Sequence, residues 1–280
     1  MVSVHEVRHL VELALTEDLT PLGDITSSLL NPDLAAEAHF VARESGTIYG
    51  RVCVDETFRA VDESVAIHWH ASDGEKTAAG QRLATVNGSL ASILTAERTA
   101  LNFLSHLSGV ATNAARWVDI AAGRVTVWDT RKTMPGYRSL QKAAVRAGGA
   151  ANHRANLSDW LMFKDNHLTG ISITEAVALA KAQWPGRTVH VEADTAEQVI
   201  EAVNAGADII LLDNFTPDQL RALVPTVRAR AGDRCPLLEA SGGITLDTLD
   251  DYATTGVDLV SSGSLTNSAP VLDIGLDILP

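Results

Sequence analysis

Between Arg98 and Lys164 the sequence gathers ten cationic side chains (Arg98, Arg116, Arg124, Arg131, Lys132, Arg138, Lys142, Arg146, Arg154, Lys164) against three acids (Asp119, Asp129, Asp159). That is a local charge of +7 inside a 280-residue chain whose net charge is −13. A basic helix face explains any one of these cations. A set this dense in an acidic protein points to a small ligand carrying several negative charges. Arginine reads carboxylate or phosphate through two parallel hydrogen bonds, and lysine adds a mobile point charge. The acidic remainder argues against nucleic acid or an anionic membrane surface as partner.

The elements that must position these groups follow from hydrophobic periodicity. Apolar runs at 125–129, 160–163, 188–193, 208–213, 236–240 and 257–262 are each followed by loop residues. Helical spacing then follows most of them, at 174–183, 196–205, 217–228 and 246–254. Strands apolar on both faces and separated by helices imply parallel β/α units, hence a β/α barrel, complete or open. No G-x-G-x-x-G follows a strand, which weakens a dinucleotide-binding sheet.

In a parallel barrel the chemistry sits at the C-terminal strand ends. There the sequence offers Asp129 with Arg131 and Lys132, Lys164 with Asp165, Glu192, Asp213 with Asn214, Glu239 with Ser241, and Ser262 with Gly263. Ser241-Gly242-Gly243 precedes a helix expected from about Thr245. Its unobstructed amides suit a phosphate, and Gly263-Ser264 at the next strand end would complete the cradle.

The first ninety residues read as a mixed α/β unit: helices at 4–15 and 53–61, strands at 36–43, 65–70 and 82–86, then a strongly helical pattern from Ser92. No catalytic motif appears there. His68 and His70 would share a strand face, but without a third ligand in reach they read as a surface strand. Cys53 and Cys235 form no C-x-x-C pattern and read as small buried hydrophobes. The N-terminus lacks a continuous apolar stretch and no segment reaches spanning length free of charges or breakers, so the expected location is the cytoplasm.

Several ordered motifs together resemble the quinolinate phosphoribosyltransferase family. They are Thr95-Ala96-Glu97-Arg98, Leu107-Ser108-Gly109-Val110, Asp129-Thr130-Arg131-Lys132-Thr133, Asn152-His153-Arg154, Lys164-Asp165-Asn166-His167, Leu211-Leu212-Asp213-Asn214 and Glu239-Ala240-Ser241-Gly242-Gly243. The likeness runs from about Glu17 to Ile274. It implies an N-terminal α/β sandwich domain over 1–103, an open β/α barrel over 104–265, and a C-terminal segment, 266–280, returning to the first domain. It implies transfer of phosphoribosyl from phosphoribosyl pyrophosphate (PRPP) to quinolinate with decarboxylation, in a homodimer whose active site is shared between subunits.

By the same resemblance, Arg131, His153, Arg154 and Lys164 bind the quinolinate carboxylates, and Arg98 reaches the pocket from the neighbouring subunit. Lys132 faces the phosphorylated substrate. Glu192 and Asp213 hold the ribose hydroxyls or Mg²⁺, and Ser241, Gly242, Gly243, Gly263 and Ser264 take the 5′-phosphate. Lys132, Lys164, Glu192 and Asp213 are the catalytic set. Ala143 stands where the family commonly has an aromatic, Ala150 and Asn156 where it has glycine, Phe163 where it has an aliphatic and Asn267 where it has histidine. Rival readings are a molybdenum-transport-associated paralogue of the same fold, a nicotinate phosphoribosyltransferase without decarboxylation, a Schiff-base barrel enzyme using Lys164, and a non-catalytic anion binder.

Overall fold

The computed structural model describes residues 2–279. The chain divides into two compact units, one made of 1–115, 134–149 and 265–280, the other of 116–133 and 150–264.

In the first unit, helices α1 (Val4–Leu19) and α2 (Arg51–Val61) accompany strands β1 (Ala35–Ala42), β2 (Gly46–Thr47), β3 (Ala66–Trp69), β4 (Lys76–Thr77) and β5 (Arg82–Ser89). The 32-residue α3 (Leu90–Ala121) follows, and the unit boundary falls inside it. The expected break after 15 does not stop α1: Glu17 and Asp18 stay helical, and the turn begins at Thr20. Strands β12 (Ile274–Ile278), β1, β5 and β3 form an antiparallel sheet in that order, so the last strand pairs with the first. Phe40, Phe58, Leu83, Ile93 and Leu104 are fully buried in its core, each contributing roughly 1.5–3 kcal/mol through removal of apolar surface from water.

Segments 104–115 and 134–149 also belong to this unit. The latter carries a helix that the sequence reading did not separate, α4 (Arg138–Ala147), with Gln141 and Lys142 buried. The cationic run is therefore divided: Arg98, Arg138, Lys142 and Arg146 lie in the first unit, and Arg116, Arg124, Arg131, Lys132, Arg154 and Lys164 in the second.

The second unit holds six parallel strands, β6 (Thr126–Trp128), β7 (Leu161–Phe163), β8 (Val189–Ala193), β9 (Ile209–Asp213), β10 (Leu237–Ser241) and β11 (Leu259–Ser261). Their order is β6-β11-β10-β9-β8-β7. A single parallel bridge from Trp128 to Ala151 marks a further position on the free edge of β6. The sheet is the open β/α barrel expected from the six apolar runs. Helices α5 (Ile173–Gln183), α6 (Ala196–Ala205) and α7 (Pro217–Ala231) follow β7, β8 and β9. Each starts with a capping box, Ser172 with Glu175, Thr195 with Gln198 and Thr216 with Gln219. These reciprocal bonds satisfy backbone donors at the helix start, and they anchor the loops that leave the strand ends. Among the described residues no helix is long and apolar enough to cross a membrane.

Within the first unit, a Cβ at Gly109 would stand 2.0 Å from the Pro270 carbonyl and 2.8 Å from Val271 Cα. This glycine lets the C-terminal segment pass against α3. Gly109→Ala should lower stability by about 1–3 kcal/mol through overpacking, read as a reduced urea midpoint; an unchanged midpoint would show that the segment moves aside without cost.

Candidate active site

Parallel register places the inward residues of the second unit's sheet in rows. Glu192 and Glu239 both stand level with Leu211, on either side of it. Asp213 stands level with Ser241 one step nearer the C-terminal end of the same face. His190 shares Glu192's face because side chains alternate along a strand.

At the end of β6, Asp129 is fully buried and organises the neighbouring segment. Its Oδ1 accepts the His153 amide at 2.9 Å and its Oδ2 accepts the Asn152 side-chain amide at 2.7 Å. That clamp fixes the backbone of 152–154 and therefore Arg154. Arg154 is only 7 % exposed. Desolvation and then the charge of Arg131 push its pKa down. Asp159 and Glu192 act the other way, and a bound anion would favour the Arg154 charge further.

Lys164, at the end of β7, donates its ammonium to Glu192 Oε2. Its amide is held by His167 Nδ1 at 3.1 Å, so His167 turns back onto the strand end. Asp213 is raised by desolvation and then by Asp194, while Lys164 and Lys132 act the other way. Both lysines thus bear electrostatically on that carboxyl. Hard oxygen donors from two adjacent strands are the kind that Mg²⁺ takes while keeping several waters. Glu192 and Asp213 fit it.

The expected phosphate cradle has a different basis. Helix α8 (Leu249–Ala253) starts four residues later than expected and is one turn long, because Thr245 and Thr248 bond each other in a turn instead. No helix start lies at Ser241-Gly242-Gly243. Instead the two glycines take φ of 95° and 62°, and the Asn214 amide donates to the Ser241 carbonyl at 3.0 Å. A Cβ on Gly242 would meet Asn214 Oδ1 at 2.3 Å, so only glycine permits this approach. The loop after β11 is tied to the same place. Ser262 Oγ donates to the Ile244 carbonyl at 3.1 Å and shares a bond with Ser264 Oγ at 2.8 Å, just before the short α9 (Ser264–Asn267).

Arg98 is exposed and belongs to the first unit. Among the described non-glycine residues only Ala122 and Asn214 take positive φ. Ala150 and Asn156 therefore sit in backbone that any residue adopts, and the replacements of glycine carry no strain. Cys235 is half-exposed with Arg228 Nη1 at 3.1 Å from its sulfur, contrary to the buried expectation, whereas Cys53 is buried and its thiol is pushed up to about 12.

The sequence reading missed His190, although its place two residues before Glu192 was a signal, and it noted Glu239 without giving it a part. Both are fully buried. His190 Nε2 lies 3.3 Å, and His153 Nε2 3.7 Å, from Glu239 Oε2. Burial is the first cause in each case: it raises the Glu239 carboxyl to about 7 and takes His190 well below its usual range. The Ser261 hydroxyl, which donates to Ser241 Oγ at 3.2 Å, lowers the carboxyl in part.

Comparison with known proteins finds relatives over nearly the whole chain. A profile described as quinolinate phosphoribosyl transferase, C-terminal domain, matches residues 110–277, and the corresponding N-terminal domain profile matches 24–108. The chain is 40% identical over 281 residues to the nicotinate-nucleotide pyrophosphorylase (carboxylating) of Mycobacterium leprae, covering 97% of this chain and 96% of that protein. It is 35% identical over 295 residues to quinolinate phosphoribosyltransferase (decarboxylating) 2b, mitochondrial, of Nicotiana tabacum, covering 98% and 82%. The solved nicotinate-nucleotide pyrophosphorylase of Francisella tularensis superposes with a TM-score of 0.95 at 36% identity, covering 100% of this chain and 98% of that one.

The shifts of Glu239 and His190 make a linkage prediction. A carboxyl raised from 4.5 to about 7 loses stability as pH climbs through that window, whereas a depressed histidine loses it as pH falls below 6.5. The slopes cancel between about pH 4.5 and 6.5 while both groups are present. Relative to wild type, Glu239→Gln should lose stability on acidification below 6.5, and His190→Gln should lose it on alkalinisation from 4.5 to about 7. Parallel urea midpoints across this range would show that the pair is not buried in the folded protein.

Proposed function

Because the chain belongs to the quinolinate phosphoribosyltransferase family, we propose that the cations at the open end of its parallel sheet grip a pyridine dicarboxylate beside an activated sugar phosphate. The enzyme is a decarboxylating pentosyltransferase that joins quinolinate to PRPP in NAD biosynthesis, giving nicotinate mononucleotide, pyrophosphate and CO₂. The observation that supports the site assignment best is the desolvated Arg154 whose charge is opposed by Arg131. Two adjacent carboxylates relieve that repulsion, and two planar forks match them better than lysines would.

Arg131, Arg154 and Lys164 take the quinolinate carboxylates, with His153 lining the pocket. The loops at 241–243 and 263–264, already bonded to each other through Ser262 and Ile244, present Ser241, Gly242, Gly243, Gly263 and Ser264 to the 5′-phosphate. Lys132 faces the pyrophosphate. Glu192 and Asp213 lie where the ribose ring gains positive charge as the pyridine nitrogen displaces pyrophosphate at C1, and carboxylates stabilise that charge. Glu192 and Asp213 would hold Mg²⁺, directly or through water, and the ion would supply charge neutralisation for the leaving group. Lys164 tempers the Glu192 carboxylate until substrate draws the ammonium away. Once the ring nitrogen is bonded to ribose, its positive charge stabilises the carbanion left when the 2-carboxylate departs. Positioning and fixed charge account for the catalysis.

Arg98, carried on the exposed face of the first unit's long helix, reaches the pocket of a neighbouring subunit in a homodimer. This accounts for a cation that lies outside the second unit altogether.

Incubation with quinolinate, PRPP and Mg²⁺ should release CO₂ and nicotinate mononucleotide; failure to consume quinolinate would overturn the assignment. Arg131→Ala should raise KM for quinolinate roughly 10–100-fold, the cost of a lost charge-assisted pair, with a much smaller change for PRPP; equal changes would remove Arg131 from carboxylate recognition. Mixing inactive Arg98→Ala with inactive Lys164→Ala subunits should restore part of the activity, because one pocket in the mixed dimer is intact. No recovery after demonstrated subunit exchange would place Arg98 outside the site.

A further inference from the structure

Below the cations, the interior of the second unit buries three polar side chains where an apolar core would pack more comfortably. Glu239 and His190 are fully buried, and His153 is nearly so. Among the described residues, neither Glu239 oxygen and neither His190 nitrogen has a hydrogen bond of ordinary geometry. Buried groups this poorly satisfied cost stability, and apolar replacements of similar volume often stabilise a fold. Holding the fold together does not explain them.

The ring of His153 shows what they act on. The Arg154 amide donates to His153 Nδ1 at 2.8 Å, which fixes that nitrogen as an acceptor. In the neutral ring Nε2 then carries the hydrogen, and it is Nε2 that faces Glu239 Oε2 at 3.7 Å. His190 Nε2 approaches the same oxygen at 3.3 Å. The three ligand atoms lie within 4.8 Å of one another, a spacing that a transition metal also uses. The tautomer opposes a metal: Nε2 of His153 has no lone pair to offer while Nδ1 accepts the amide. The rings of Trp128 and Trp160 flank His153, with centroids at 5.4 and 5.1 Å, so the imidazole has little room except along the line to Glu239.

We propose that Glu239 and His190 are positioning residues for substrate recognition. Glu239 turns an oxygen toward the Nε2–H of His153 across 3.7 Å, an electrostatic approach rather than a hydrogen bond, and His190 stands beside the same oxygen from the neighbouring strand. Asp129 fixes the backbone of the same segment through the His153 amide. Backbone and ring together set the attitude of His153 and, one residue on, of Arg154 toward the dicarboxylate. The inference rests on quinolinate being the substrate. It adds two residues that act without touching it.

The test uses the full-length enzyme and three variants. Glu239→Leu removes the oxygen that faces the His153 ring and should raise KM for quinolinate on the order of 10-fold, while leaving KM for PRPP within about 2-fold and the melting temperature equal or higher. Glu239→Gln keeps an oxygen acceptor and should restore most of the quinolinate affinity. His190→Leu should shift the same KM in the same direction, and it carries the test if Glu239→Leu does not fold. Equal changes in both Michaelis constants, or none in the two leucine variants, would overturn the proposal. So would stoichiometric zinc or another transition metal in wild-type protein that disappears in Glu239→Leu. Wild-type protein that ignores quinolinate would instead overturn the substrate assignment, and the two failures are told apart by that control.

Discussion

Arg154 is a nearly buried guanidinium whose charge burial and Arg131 both oppose. Removing a guanidinium from water is unfavourable, and setting a second one beside it is more so. Such an arrangement persists only if the surrounding structure over-determines it. Asp129 does much of this, placing one carboxylate against the backbone amide of His153 and the side chain of Asn152. The parallel register does the rest, since β7 and β8 deliver Lys164 and Glu192 to bonding distance and β9 and β10 deliver Asp213 and Ser241 to one level. The capping boxes at Ser172, Thr195 and Thr216 keep the intervening loops short of freedom. Binding free energy is thereby committed in the empty enzyme, so less ordering remains when substrate arrives.

Much of this architecture was legible in the residues. Six apolar runs became six parallel strands, and the helix at 196–205 appeared with its expected bounds. Strand-end reasoning picked out Asp129, Lys164, Glu192, Asp213 and Ser241 because parallel β/α units leave the carboxyl ends of strands open to ligands. The motifs, not the periodicity, supplied the identity of the substrate.

What stayed hidden has physical reasons. The helix expected at Thr245 gave way to a turn because Thr248 offers its hydroxyl to the Thr245 amide, a local bond that competes with helical pairing. Helix α4 sits amid cations whose charge drew attention away from the apolar spacing of Leu140, Ala143 and Ala144. Long-range pairing decides that 134–149 joins the first unit, and no local pattern reports it. Buried His190 escaped notice because a histidine inside an apolar strand gives no sign of what faces it across the sheet.

The pairing of β12 with β1 joins residues almost at opposite ends of the chain. During synthesis β1 emerges early, yet one of its two edges has no partner until 274–278 leaves the ribosome. In the second unit β7 to β10 pair with their sequence neighbours as they appear, while β6 waits for β11. The unit that is begun first is thus finished last, and its free strand edge must be shielded through nearly the whole of translation. Contacts of such long sequence separation form slowly and expose intermediates to self-association.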